Sequence, residues 1–142
     1  MRKEDEIIIL NGAITALFEK GFRGYTEKIG LTGKQADVLM YLMFSDGGAL
    51  EQKKLEEKFK VTKSAISTML NTMERGGFVR REKIDGRTNA VYPTEKAEKL
   101  RDDICNAAEV RAEKFFGGFS EDDKDTLSAL LKKLYGNISE EG

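Results

Sequence analysis

The chain has 142 residues, 35% of them charged and 39% hydrophobic, with a formal charge of −1. That is material for one soluble globular domain with a core that needs no staples. The absence of histidine removes the usual general base and the commonest imidazole metal ligand, and a single cysteine, Cys105, rules out an intrachain disulfide framework.

The longest apolar run, Ile7-Ile8-Ile9-Leu10, is too short to span a membrane, and no small-residue cleavage site follows a sustained apolar core. The expectation is a cytoplasmic protein that is not an enzyme and holds no metal or cofactor. Its charge is unevenly spread: Glu51 to Arg87 carries ten basic and six acidic residues, a net of +4, against −5 elsewhere. A locally basic module in an acidic chain fits an electrostatic footprint for nucleic acid.

In chain order, residues 4–28 read as a helix. Ile7, Leu10, Ile14, Leu17 and Phe18 recur at helical intervals, and Ile8, Ile9 and Ala13 widen the apolar surface beyond one stripe. Gly21 and Gly24 are expected to bend or interrupt its second half. Thr32-Gly33-Lys34-Gln35 fits a capping box opening a second helix with Ala36, Leu39, Met40 and Met43 on its apolar face. That helix ends before a turn at Ser45-Asp46-Gly47-Gly48. A short charged helix follows over 51–59, burying Leu55 and Phe59, with Leu50 just before it. Only Lys60 and Val61 separate it from the Thr62 N-cap of the next helix, a helix-turn-helix spacing.

The helix from Thr62 to Arg75 places Ile66, Met69, Leu70 and Met73 on one face. Opposite lie Ser64, Ser67, Thr68, Asn71 and Arg75, with Lys63 at the flank. Short hydroxyls and an amide contribute little to helix propensity, but they suit a surface that approaches base edges closely. The bland alternative is a solvated face, where Glu and Lys would be the expected filling. Gly76-Gly77 stops the helix. Two strand-like runs, 78–84 and 88–92, flank Asp85-Gly86, a strong hairpin-turn dipeptide, with Arg87 at the tip and Pro93 closing the second strand. Arg80, Arg81 and Lys83 read as contacts to phosphates or as solvated strand charges. Thr94 is expected to cap one long helix through Phe116. After Gly117-Gly118 a last helix starts at Ser120, with Glu121, Asp122 and Asp123 favoured by the dipole in its first turn and Leu127, Leu130, Leu131 and Leu134 as its apolar face.

The fold class is therefore mainly α with a small β-hairpin wing. A winged helix-turn-helix over about 32–93 is flanked by N- and C-terminal dimerisation helices, 1–30 and 94–142, in one domain of 1–142. With this element order the chain resembles the MarR family of bacterial and archaeal transcription regulators. The likeness rests on Leu31-Thr32, on 61–67 continuing to 73–79, and on Asp85-Gly86-Arg87 with Thr94-Glu95-Lys96 following, in register with the family's D-x-R wing and T-E-K helix start. The sequence departs from the pattern at Thr68 and Thr72, where many members are basic, at Lys60 in place of a turn glycine, and at Ala97 in place of the glycine after T-E-K.

The resemblance implies that the Thr62–Arg75 helix enters the major groove of double-stranded DNA, and that Arg87 reaches the minor groove with Asp85 holding its guanidinium. It also implies a homodimer, a pseudo-palindromic operator and a ligand-responsive repressor. The apolar surfaces of 7–18 and 127–134 point independently to a dimer, the alternative being that they cover each other within one chain. The expected DNA-binding set is Thr62, Lys63, Ser64, Ser67, Thr68, Asn71, Arg75, Arg80, Arg81, Lys83, Asp85 and Arg87. Family members often respond to a small aromatic or phenolic effector, for which Arg23, Tyr25 and Tyr41 are loosely placed. Cys105 reads as a buried structural cysteine, with a peroxide-sensing role as the alternative. The competing functional reading is a winged-helix module that binds protein without specific DNA binding.

Overall fold

The computed structural model describes residues 1–45 and 50–139, with the side chains of 21–26 left aside; the turn expected at 45–48 lies outside the described residues from 46 onward. Two compact units emerge, Met1–Cys105 and Asn106–Gly142, divided within a helix. In the first, α1 (Lys3–Ile29) runs unbroken through Gly21 and Gly24, so the expected interruption is absent. Glycine weakens a helix interior by about 1 kcal/mol, which the cooperativity of a helix of 27 residues absorbs.

Helix α2 (Gly33–Met43) opens with the full capping box: Thr32 Oγ1 accepts from Gln35 N–H at 3.2 Å and Gln35 Oε1 accepts from Thr32 N–H at 2.9 Å. Its buried surface is wider than the expected stripe. Val38 and Leu42 are fully buried beside Ala36, Leu39 and Met43, whereas Met40 is half-buried. The helix meets both α1 and the sheet, and two-sided packing removes the polar face a surface helix would keep.

The strand β1 (Leu50–Glu51) precedes α3 (Gln52–Phe59) and α4 (Lys63–Arg75), then β2 (Val79–Lys83) and β3 (Asn89–Pro93) form the hairpin. The sheet has three antiparallel strands in the order β1-β3-β2, not the two expected, with Leu50 opposite Val91 and Val79 opposite Pro93. A two-residue strand has no period to read, so its pairing is a tertiary event. The core joins Leu39 and Leu42 of α2, Leu55 of α3, Ile66, Leu70 and Met73 of α4, Val79 and Val91 of the sheet, and Ala97 and Ile104 beyond it.

The long helix expected from Thr94 is divided into α5 (Glu95–Glu98) and α6 (Arg101–Phe115). A tight Leu100 N–H to Ala97 C=O bond (2.9 Å) closes the first piece, and Arg101 pins the second by donating to Met43 C=O at 3.0 Å. Those anchors turn Leu100 toward the core, which Ala97 and Ile104 also enter. Cys105 is half-buried, not fully buried as expected, because it follows Ile104 on the turn that leaves this core.

In the second unit α7 (Glu121–Ser139) has a reciprocal N-terminal cap, Asp123 N–H to Ser120 Oγ and Ser120 N–H to Asp123 Oδ2, each at 3.0 Å. The turn before it places Gly118 at φ +82° and stacks Phe116 edge-on to Phe119 at 5.5 Å. None of its described residues is fully buried.

Candidate nucleic-acid interface

Helix α4 is held at both ends. Thr62 Oγ1 accepts from Ala65 N–H at 3.1 Å, an N-cap worth about 1 kcal/mol. At the other end Gly77 takes φ +81°, Phe78 N–H reaches Met73 C=O at 2.9 Å and Gly77 N–H reaches Glu74 C=O at 3.0 Å, which together form a Schellman motif. Only glycine occupies that backbone region without strain. The two carbonyls just past the helix are also used: Lys96 Nζ donates to Gly76 C=O at 2.7 Å, and Thr94 Oγ1 donates to Gly77 C=O at 2.6 Å. Lys96 also lies over the Phe78 ring at 4.4 Å. The Thr94-Glu95-Lys96 segment thus locks the end of α4. Sequence spacing located it but gave no sign of this contact, which joins residues about twenty apart.

Burial of Ile66, Leu70 and Met73 turns the opposite side of α4 outward. Lys63, Ser64, Thr68, Asn71 and Arg75 are exposed and Ser67 is half-buried. The first turn of α4 contains no acid and begins with Lys63, against the usual dipole preference. A positive helix terminus reinforced by a lysine is a good place for a phosphate. Close by, Lys63 and Arg87 line one groove of about 330 Å³ with Gln52, Lys53, Glu56 and Asn89. The buried Gln52 Oε1 on its wall has no hydrogen-bond partner among the described residues.

The wing differs from expectation in two places. Asp85 does not hold the Arg87 guanidinium; its Oδ1 accepts from the backbone N–H groups of Arg87 (2.8 Å) and Thr88 (2.9 Å). An aspartate at the start of a turn bonds its own backbone two and three residues on, so here Oδ1 is committed to the main chain and not to the guanidinium. These two bonds hold the Asp85 carboxyl below the ordinary carboxylate range. Arg87 makes no side-chain hydrogen bond or ion pair among the described residues, so its charge faces outward. The second difference is Arg81, expected as a phosphate contact. It donates to Asn71 Oδ1 and, at 3.0 Å, to Glu74 Oε1, while its backbone N–H reaches Glu74 Oε2 at 3.2 Å. It braces the wing against α4. Arg80 pairs with Glu82 and stacks on the Tyr92 ring at 4.2 Å, and Lys83 is exposed on the outer strand.

Of the effector candidates, Tyr41 packs edge-on to Phe59 at 5.8 Å with Lys58 over its ring at 5.4 Å, whereas the side chains of Arg23 and Tyr25 lie outside the described residues. Lys60, in the turn between α3 and α4, takes φ 54° and ψ 46°. It adopts the left-handed conformation that a glycine would take without strain.

A helix-turn-helix followed by a hairpin braced to its second helix defines the winged helix-turn-helix class. Residues 29–87, which span the winged helix-turn-helix up to the tip of the wing, match the model of the MarR family. The chain is similar to the uncharacterized HTH-type transcriptional regulator YybA of Bacillus subtilis (strain 168), at 29% identity over 89 residues covering 61% of this chain. The match spans 59% of that relative's length. Among solved structures it is similar to AbsC, a MarR family transcriptional regulator from Streptomyces coelicolor, with a TM-score of 0.81 and 19% identity over 98% of this chain and 97% of that one. It is also similar to MepR of S. aureus, solved as a DNA complex, with a TM-score of 0.75 and 17% identity over 97% and 98% of the two chains. Those structures establish the fold over nearly the whole chain. The relatives are transcription regulators, not enzymes.

Proposed function

We propose that the protein is a sequence-specific DNA-binding transcription regulator that acts as a homodimer on a pseudo-palindromic operator. The observation that carries this reading is the outward stripe of α4, short polar side chains on a helix capped at both ends, beside an Arg87 whose charge has no partner among the described residues. Ser64, Ser67, Thr68 and Asn71 are short enough to bring the helix close to base edges. Lys63, Arg75, Lys83 and Arg87 supply phosphate or minor-groove charge. MepR, with the same fold, was crystallised on DNA. Arg81 drops out of the contacting set, since its charge is matched within the chain.

The homodimer is supported by each unit separately. Helix α1 exposes Ile7, Ile8, Ile9, Leu10, Ile14 and Leu17 at 47–69%, and α7 exposes Leu130, Leu131, Leu134, Tyr135 and Ile138. Contiguous apolar surface on that scale marks an association face. A two-fold dimer would set two α4 helices about one DNA turn apart, hence the operator symmetry. Occlusion of a promoter by such a dimer makes it a repressor, released by a small aromatic or phenolic ligand.

Fluorescence anisotropy on duplexes selected from a random library tests the reading. Affinity should fall steeply with salt, and Arg87→Ala should weaken binding and flatten the salt slope by about one unit without altering the fold. No enrichment of any duplex at low salt would leave the protein-binding winged-helix module as the better reading.

A further inference from the structure

Among the described residues from Leu50 to Pro93, Ile84 is the one large hydrophobic side chain left exposed, at 62%. The strand ladder fixes its place on the wing. Ile84 N–H donates to Thr88 C=O at 2.9 Å, which extends the register that sets Lys83 opposite Asn89. Side chains alternate between the two faces along a strand. Arg81 reaches α4 from one face, while Arg80 pairs with Glu82 and stacks on Tyr92 on the other. Ile84, two residues beyond Glu82, belongs to that second face, at the tip and turned away from α4. Lys83 and Arg87 flank it, and Asp85, the only acid between them, commits Oδ1 to the backbone of Arg87 and Thr88. A lone apolar side chain on a surface needs no explanation. At the tip of a cationic wing it meets whatever the wing enters.

We propose that Ile84 enters the minor groove beside Arg87, packs on the deoxyribose wall away from α4, and selects against guanine on the groove floor beneath it. Minor-groove binders recurrently combine cationic side chains with an apolar one, isoleucine included. The guanine amino group is the one donor that base edges present in this groove. Isoleucine has no acceptor, so an amino group covered by it loses water and gains no partner. A·T and T·A are therefore both favoured at the pair under Ile84, and the contact does not tell them apart. Arg87 supplies charge in this arrangement, and Ile84 supplies apolar contact and the exclusion of guanine. The inference rests on the DNA-binding reading above and adds a residue outside the expected contact set.

The test takes the operator selected by the full chain and measures anisotropy on duplexes changed one pair at a time to G·C and to inosine·cytosine. Inosine lacks the amino group, so inosine·cytosine resembles A·T in the minor groove and G·C in the major groove. At the pair under the wing, G·C should bind about fivefold or more weaker, and inosine·cytosine within about twofold of A·T. Ile84→Ser should bind the operator about tenfold weaker and narrow the gap between G·C and inosine·cytosine. Its salt slope should match wild type, since no charge is removed. Ile84→Leu should keep the wild-type choice, and thermal unfolding of both variants should stay unchanged because the side chain is exposed. A wild type for which G·C and inosine·cytosine are equivalent at every pair overturns the proposal. So does an Ile84→Ser with wild-type affinity and choice, or one whose dimer weakens in sedimentation equilibrium, which would assign Ile84 to a contact between copies. Failure to enrich any duplex brings down the DNA-binding reading and this inference together; a selected operator that Ile84→Ser binds as wild type does brings down the inference alone.

Discussion

Replacing Ile8 by alanine probes the homodimer where the protomer itself has little to lose. Ile8 is 69% exposed, so the substitution opens no cavity and monomer stability should stay unchanged. If α1 docks a second copy, the exposed share of the three deleted carbons is what would otherwise leave water on association. At about 0.8 kcal/mol per buried carbon, scaled by the 69% exposure, each copy loses about 1.7 kcal/mol. A two-fold interface uses the same patch twice, so the dimer loses about 3.3 kcal/mol, or roughly 250-fold in Kd. This is an upper value, since it takes burial in the dimer as complete. Sedimentation equilibrium across a range of concentrations reads the Kd, with thermal unfolding followed by circular dichroism as the control for the fold. Ile8→Asp should dissociate the dimer outright, because a carboxylate buried without a partner is costlier still. An unchanged Kd for Ile8→Ala, or a wild type that sediments as a monomer at every concentration, refutes the reasoning.

Thr94→Val deletes both roles of one hydroxyl, acceptor for Ala97 N–H and donor to Gly77 C=O, and should lower stability by about 2 kcal/mol in urea unfolding. Hydrogen exchange should also quicken at the end of α4 in that variant. Lys60→Gly removes left-handed strain of about 1–2 kcal/mol and adds the entropy of a more flexible unfolded chain. A net gain of about 0.5–1 kcal/mol is expected, read as a higher denaturation midpoint. Asp85 has a depressed carboxyl pKa because its charged form accepts two backbone bonds, so its contribution is present above the unfolded carboxylate range and is lost as pH falls through the folded value. NMR should show the Arg87 and Thr88 amides losing protection only once the pH falls below the ordinary aspartate range, and Asp85→Asn should abolish that acid step.

Local rules made much of the fold legible. The Thr32 box, the Thr62 and Thr94 caps, the glycine stop after Arg75 and the Asp85 turn are each decided by residues within a few positions, and the structure has them as expected. What escaped was settled by contacts distant in sequence. Leu50–Glu51 is a strand only because Val91 and Ala90 lie opposite, and the break before Arg101 depends on Met43 C=O, 58 residues away. The site follows the same division. Helical periodicity alone put Ser64, Thr68, Asn71 and Arg75 on the outer face of α4. Whether a basic strand residue faces solvent or the neighbouring helix depends on pairing register and on acceptors such as Asn71 and Glu74, which no pattern within β2 encodes. For that reason Arg80, Arg81 and Lys83 looked alike in sequence and have three different environments in the structure.

The brace and the short side chains explain one another. A lysine or arginine can follow a phosphate that shifts, because its long stem absorbs the displacement. Serine, threonine and asparagine have no such reach, and a hydrogen bond weakens steeply once its geometry is lost. A helix that reads with them must be delivered to the groove in a fixed pose. In this chain α4 is capped at Thr62, stopped at Gly77, tied by Thr94 and Lys96 through the carbonyls beyond its end, and joined to the wing by Arg81. The scarcity of arginine on α4 and the abundance of these tethers are then two sides of one solution, in which stiffness takes the place of reach. Loosening any tether should therefore cost more at cognate operators than at random duplexes, since charge-driven non-specific binding tolerates the lost pose and hydrogen-bonded readout does not.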